Sequence, residues 1–245
     1  MSHATIDQRI AIDPAVLAAV RALAAGPGRR ILGLVGAPAS GKSTLAAALA
    51  AALAGRAANI PMDGFHLSQR QLTILGRAER KGAPDTFDGD GYRALLARIR
   101  AAADTGEIVY APGFYREIEE PIAASLAVAP DTPLIITEGN YLLLDEAPWP
   151  AVAAELDAVW YLDVETARRE DWLVARHMRF GRSASAARAW MEATDRPNAE
   201  RIVASAPRAD RVLYWDGTCV RFGEATAQAG TSSCKGPAEG ASCRQ

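Results

Sequence analysis

The segment Gly36-Ala37-Pro38-Ala39-Ser40-Gly41-Lys42-Ser43, followed by Thr44, has the spacing G-x-x-x-x-G-K-[ST]. Each residue type answers a need of phosphate binding. Glycines let backbone N–H groups turn inward around phosphate oxygens, where a side chain would block the approach. A helix that follows offers unpaired N–H groups and the positive end of its dipole. Lys42 then reaches the β- and γ-phosphates, and the Ser43 hydroxyl joins a Mg²⁺ shell. The plainer alternative is a glycine-bearing strand-to-helix turn with no ligand. The order of residues favours nucleotide binding, with residues 36–44 around the phosphates.

Two carboxylates stand where such a site would use them. Asp63 follows the short run Asn59-Ile60-Pro61-Met62, and Glu138 follows Leu134-Ile135-Ile136-Thr137. Parallel sheets gather ligands at the carboxyl ends of their strands, so both acids are expected on the edge that holds the phosphate loop. An acceptor hydroxyl needs a base, and a metal needs oxygen ligands. Asp63 could equally cap a helix starting near Phe65, and Glu138 could simply turn the chain before Gly139.

The elements that must position these groups read as follows. Strands are expected over 30–36, 58–62, 133–139, 157–164 and 211–215, with helices over 13–25, 40–55, 66–77, 89–103, 165–180, 184–195 and 198–207. Segments 106–112 and 122–130 flank the polar run Gly113-Phe114-Tyr115-Arg116-Glu117-Ile118-Glu119-Glu120 and predict an antiparallel flap. Strands alternating with helices imply an α/β fold: a mostly parallel five-stranded sheet with helices on both faces. One domain is expected over 1–222, with the flap at 105–130 and an Arg-rich helical lid at 165–196. The small, polar, Gly-rich segment 223–245 is expected to be disordered.

Composition narrows the class. A hydrophobic content of 49%, a charged content of 23% and a net charge of −2 suit an ordinary globular domain, without the basic field that nucleic acid or an anionic membrane attracts. The first residues lack a signal-peptide core, and the longest apolar run, 45–54, is too short to span a bilayer, so a cytoplasmic location is expected. Cys219, Cys234 and Cys243 have neither disulfide-framework nor metal-finger spacing. Of 27 basic residues only Lys42, Lys81 and Lys235 are lysines. A lysine, as a compact point charge, is therefore worth noting wherever it occurs.

The phosphate loop, together with "MDGFH" (62–66), "KGAPDTFD" (81–88), "ITEGNYLLL" (136–144) and "ARHMRFGRS" (175–183), resembles the P-loop kinases that include uridine kinase, phosphoribulokinase and type I pantothenate kinase. "KGAPDTFD" with "DGFH" (63–66) looks closest to the pantothenate-kinase side and to small kinase-like proteins linked to fructose transport. The resemblance spans most of residues 30–215. It implies the P-loop NTPase fold, ATP and Mg²⁺ as cofactors, and phosphoryl transfer to a small-molecule alcohol. By the same resemblance Asp63 becomes the base, with Ser43 and Glu138 on the metal side. His66, Lys81, Asp85, Phe87, Tyr115 and Arg116 fall on the substrate side. Among the lid arginines Arg168, Arg169, Arg176, Arg179 and Arg182, the expected charge-neutralising pair is Arg176 and Arg179, acting with Lys42.

Each of these has a plainer alternative. His66 could be a first-turn helix residue, "KGAPDTFD" a turn capping the next helix, Tyr115 and Arg116 a solvated hairpin tip, and the arginines a helix C-terminus meeting water. The acceptor stays open among a sugar, a nucleoside and a pantothenate-like alcohol, and a homodimer stays open as well. A catalytically silent nucleotide-binding regulator is the main rival. A GTPase switch is disfavoured because no N-K-x-D segment follows the fourth strand, and a nucleic-acid-dependent ATPase because no basic stripe exists.

Overall fold

The computed structural model describes residues 10–223; the segment expected to be a disordered tail lies, from residue 224 on, outside the described residues. The strands are β1 (Ala11–Ile12), β2 (Arg30–Val35), β3 (Ala57–Asn59), β4 (Val109–Tyr115), β5 (Glu120–Val128), β6 (Leu134–Gly139), β7 (Ala158–Asp163), β8 (Arg211–Trp215) and β9 (Cys219–Phe222). The helices are α1 (Pro14–Ala25), α2 (Lys42–Ala52), α3 (Gln69–Ile74), α4 (Gly89–Thr105), α5 (Trp149–Ala153), α6 (Thr166–Arg179), α7 (Ala184–Trp190) and α8 (Arg196–Ser205).

Seven strands form one sheet in the order β1-β9-β8-β7-β2-β6-β3. The five expected strands are its parallel core, and the expected count is corrected by two short edge strands. β9 runs antiparallel to β8, and β1 pairs with β9. With two and four residues, these strands are too short to carry a period-2 signal.

Helices cover both faces of the sheet, which is why β2 and β6 are apolar along almost their whole length. Alternate residues serve opposite cores. Ile31, Val35 and Ile135 pack with Tyr92, Leu96 and Ile99 of α4, whereas Leu32, Leu34, Leu134 and Ile136 pack with α1 and α2 through Val16, Val20, Leu45 and Leu49. β4 and β5 form a separate antiparallel hairpin, and their pairing extends to Tyr115 opposite Glu120. The turn is therefore shorter than the polar run suggests, because the ladder uses Gly113 to Tyr115 as well.

Two other boundaries move for local reasons. β3 stops at Asn59 rather than 62. Ile60 still donates to the Ile136 carbonyl (2.9 Å), but Pro61 has no N–H to continue the ladder. The chain then enters a 3₁₀ turn over Met62–Phe65, and α3 begins only after Ser68, whose Oγ accepts from Gln71 N. Further on, the expected break between helices near Pro197 is bridged. α7 passes through a π turn, Met191–Asp195, directly into α8, and the wider turn accommodates the proline ring and its missing donor.

Candidate active site

The phosphate loop joins β2 to α2, and its shape rules out side chains at both glycines. A Cβ on Gly36 would lie 2.6 Å from Ser40 Oγ and 2.8 Å from the Leu162 carbonyl. Gly41 has φ +86°, and a Cβ there would strike the Trp215 ring at 2.2 Å. The loop keeps unspent polar groups: Ser40 Oγ is buried without a partner, and the first turn of α2 leaves its N–H groups free of intrahelical bonds. Lys42 is 8% exposed, and Nζ donates only to the Ala37 carbonyl, at 3.3 Å. Burial pulls its pKa down, against the opposing pull of Glu138 and Asp63. A loop of glycines and small residues, with an orphaned hydroxyl and a buried ammonium, fits a polyphosphate. Ala37, Pro38 and Ala39 complete the cradle, with Ala39 itself at φ +64°, and Thr44 is exposed on the first turn.

Glu138 lies beside Leu34 in the β2–β6 register and is 4% exposed. Ser43 Oγ donates to its Oε1 at 2.8 Å. Burial and then the nearby Asp63 carboxylate push the Glu138 pKa up, while Lys42 pulls it back. Two carboxylates close together repel, and a divalent cation relieves that repulsion. Ser43 and Glu138 therefore suit a Mg²⁺ shell.

Asp63 sits in the 3₁₀ turn, not at the end of β3, and its side chain caps no helix; Ser68 has that task for α3. The turn is held in place by Thr137, whose Oγ1 pairs with the buried Tyr92 hydroxyl and donates to the Ile60 carbonyl. Burial raises the Tyr92 pKa, so its hydroxyl stays protonated. Gly64 lets the hairpin close onto the turn, since a Cβ there would lie 2.4 Å from the Pro112 carbonyl. Gly64→Ala is expected to cost about 1–3 kcal/mol of stability by pushing β4 away. Denaturant melts check this, and an unchanged midpoint would show that the hairpin yields freely.

Around Asp63 the other expected residues divide. Arg116, at the hairpin tip, donates through Nη2 to Asp63 Oδ2 at 3.2 Å. His66 is not in a helix. Its Nδ1 bonds the Asp63 carbonyl (2.8 Å), and its ring packs against Phe87 and Phe114 at 4.0 and 4.7 Å. Burial lowers its pKa and favours the neutral imidazole. Lys81 donates to the Glu119 carbonyl, on the same hairpin tip.

The structure places three further residues of the expected substrate side as follows. Asp85 is paired with Arg77 (3.4 Å) and Arg80 (2.5 Å). Phe87 is a core residue, 8% exposed, set edge-on to Tyr141 and Trp149 behind His66. Tyr115 is exposed at the end of β4 with no side-chain bond.

In the lid, Arg176 faces inward. Burial and the neighbouring Arg116 depress its pKa, and Asp195, Asp63 and Glu119 oppose the shift. Arg179 is exposed, whereas Arg169, one stripe with Arg176 at seven-residue spacing, is the arginine that reaches the loop. It is 4% exposed, with Nη1 3.5 Å from the Pro38 carbonyl. α6 is pinned to the following helices by His177–Asp195 (2.8 Å) and by the Arg196 fork on Glu170 (2.9 and 3.0 Å). Arg182 stacks on Trp190, 4.0 Å from the ring centre.

No protein-family model matches the chain. A Schizosaccharomyces pombe protein provisionally named a uridine kinase is 37% identical over 177 residues, which cover 69% of this chain and 74% of that one. The chain belongs to the P-loop kinase superfamily, with uridine-kinase-type relatives. An Aspergillus versicolor ATP-dependent kinase-like protein, notR', is 37% identical over 152 residues, 58% of this chain and 87% of its own. The crystal structure of a protein from Silicibacter sp. TM1040, provisionally named a fructose transport system kinase, superposes with a TM-score of 0.72 at 38% identity. That match covers 82% of this P-loop kinase and 98% of the other chain. The fold alone is shared with Saccharomyces cerevisiae YFH7 (TM-score 0.68, 19% identity). This P-loop kinase is thus an ATP-binding phosphotransferase by family, and none of its described helices is long and apolar enough to cross a membrane.

Proposed function

We propose that this P-loop kinase transfers the γ-phosphoryl group of ATP to the hydroxyl of a small-molecule alcohol, with Asp63 as base. The observation that carries the reading is the convergence of Lys42, Glu138 and Asp63 from three separate segments, close enough for each to shift another's proton affinity. ATP supplies the phosphoryl group and Mg²⁺ offsets its charge. The chain's own residues do the rest. The loop 36–44 and Lys42 hold the phosphates, and Ser43 with Glu138 offers oxygen to the metal. Asp63 takes the acceptor's proton as the acceptor oxygen bonds to the γ-phosphorus and the bond from that phosphorus to the bridging oxygen breaks, releasing ADP. Lys42 with Arg176, and Arg179 on lid closure, opposes the charge on the moving group.

The test is ADP release from ATP and Mg²⁺ across hexoses, nucleosides, pantothenate and ribulose 5-phosphate, with Lys42→Ala as control. The expected result is one acceptor raising ADP release well above background in the parent and not in the control. Firm ATP binding with a flat panel would instead support a silent regulator.

A further inference from the structure

Two cations stand on the acceptor side of the proposed site. Arg116 and Lys81 both stand over Phe114, with the guanidinium carbon 5.8 Å and the ammonium 5.7 Å from its ring centre. The ring also packs on His66, whose Nδ1 is bonded to the Asp63 carbonyl. Two cations therefore flank the approach to the proposed base.

Neither cation uses its hydrogen-bonding capacity in full. Arg116 has five N–H donors, and Asp63 Oδ2 takes one. Lys81 has no ion-pair partner among the described residues, and its bond to the Glu119 carbonyl leaves further donors unused. Of the nearby acids, Glu120 Oε1 accepts from Gln69 N and Asp85 holds Arg77 and Arg80, while Glu117 and Glu119 are solvent-exposed and ion-pair with neither cation. Arg116 also occupies Asp63 Oδ2, an oxygen of the group proposed to meet the acceptor hydroxyl. An anionic group on the acceptor would give Arg116 a better partner and release Asp63 to the hydroxyl. It would also spare two cations from being desolvated without a counter-charge as the site fills.

We infer that the acceptor is an anionic alcohol, its carboxylate or phosphate held between Arg116 and Lys81 while its hydroxyl meets Asp63. The inference rests on the proposed kinase reading. It treats the hairpin tip as the element that selects substrate by charge.

Matched acceptor pairs test it: glycerol against D-glycerate and glycerol 3-phosphate, and ribose against ribose 5-phosphate. Each is assayed by ADP release with ATP and Mg²⁺. The anionic member is expected to have a kcat/KM at least about tenfold higher, and the better anion tells carboxylate from phosphate. Arg116→Gln and Lys81→Gln should each raise KM for that acceptor by roughly ten- to a hundredfold with a smaller change in kcat, given melts that match the parent. Neutral members that serve equally well, or variants that leave KM for the anion unmoved, would overturn the inference and leave the kinase reading in place. ATP binding without ADP release in any arm would sink both.

Discussion

Asp63→Asn is expected to lower kcat by about 10²- to 10⁴-fold while ATP affinity changes only a few-fold. Asn keeps the shape of Asp and can still accept from Arg116, but it cannot take a proton at neutral pH. The phosphate cradle is built from other residues: the loop from Gly36 to Gly41, the first turn of α2, and Lys42. Turnover and binding should therefore separate. Single-turnover kinetics beside calorimetric ATP titration would show it. Normal turnover in the Asn variant would remove Asp63 from the base role, and a parallel loss of ATP binding would recast it as a support of the loop.

Lys42→Ala is expected to lower kcat/KM by at least about 10²- to 10³-fold, the scale seen when one preorganised donor to a developing charge is lost. Lys42→Arg should not restore it. Lys42 is almost fully buried and lies against the Ala37 carbonyl, and a planar guanidinium is too wide for the space that a compact ammonium fills. The substitution has a second consequence, in pH dependence. Lys42 is the cation that pulls the Glu138 pKa down against burial and Asp63. Without it Glu138 takes up its proton at a higher pH, so Mg²⁺-dependent ATP binding should fade earlier as pH is lowered. Titrations of ATP with Mg²⁺ at several pH values would read this directly, and an unshifted acid limb would show that Glu138 is not coupled to Lys42.

The parts of the site that rest on neighbouring residues were legible from the chain. Gly36 to Ser43 is one contiguous segment, and the strand before it and the helix after it follow from apolar runs and glycine. Glu138 was legible for a related reason. A strand buried on both faces reads as an unbroken apolar run, so an acid at its end stands out.

Other placements were less legible, because local and distant forces compete. Asp63 follows an apolar run that reads as a strand, but Pro61 breaks the ladder first and hands it to a 3₁₀ turn. Phe87 stands among polar residues in the chain, and the cluster of Tyr141 and Trp149 draws it into the core. Asp85 pairs with Arg77 and Arg80, an arrangement that the turn around it sets.

Residue order alone settled the nucleotide loop, the parallel core and the presence of acids on its carboxyl edge, since each depends on contiguous residues and the periodicity of buried strands. Folding chose which distant side chains share the remaining space. It set Arg116 on Asp63 across 53 residues, buried Arg169 rather than Arg179 against the loop, and laid Lys81 on the hairpin tip. Those choices follow from packing and desolvation, which act through space and leave no spacing in the chain to read.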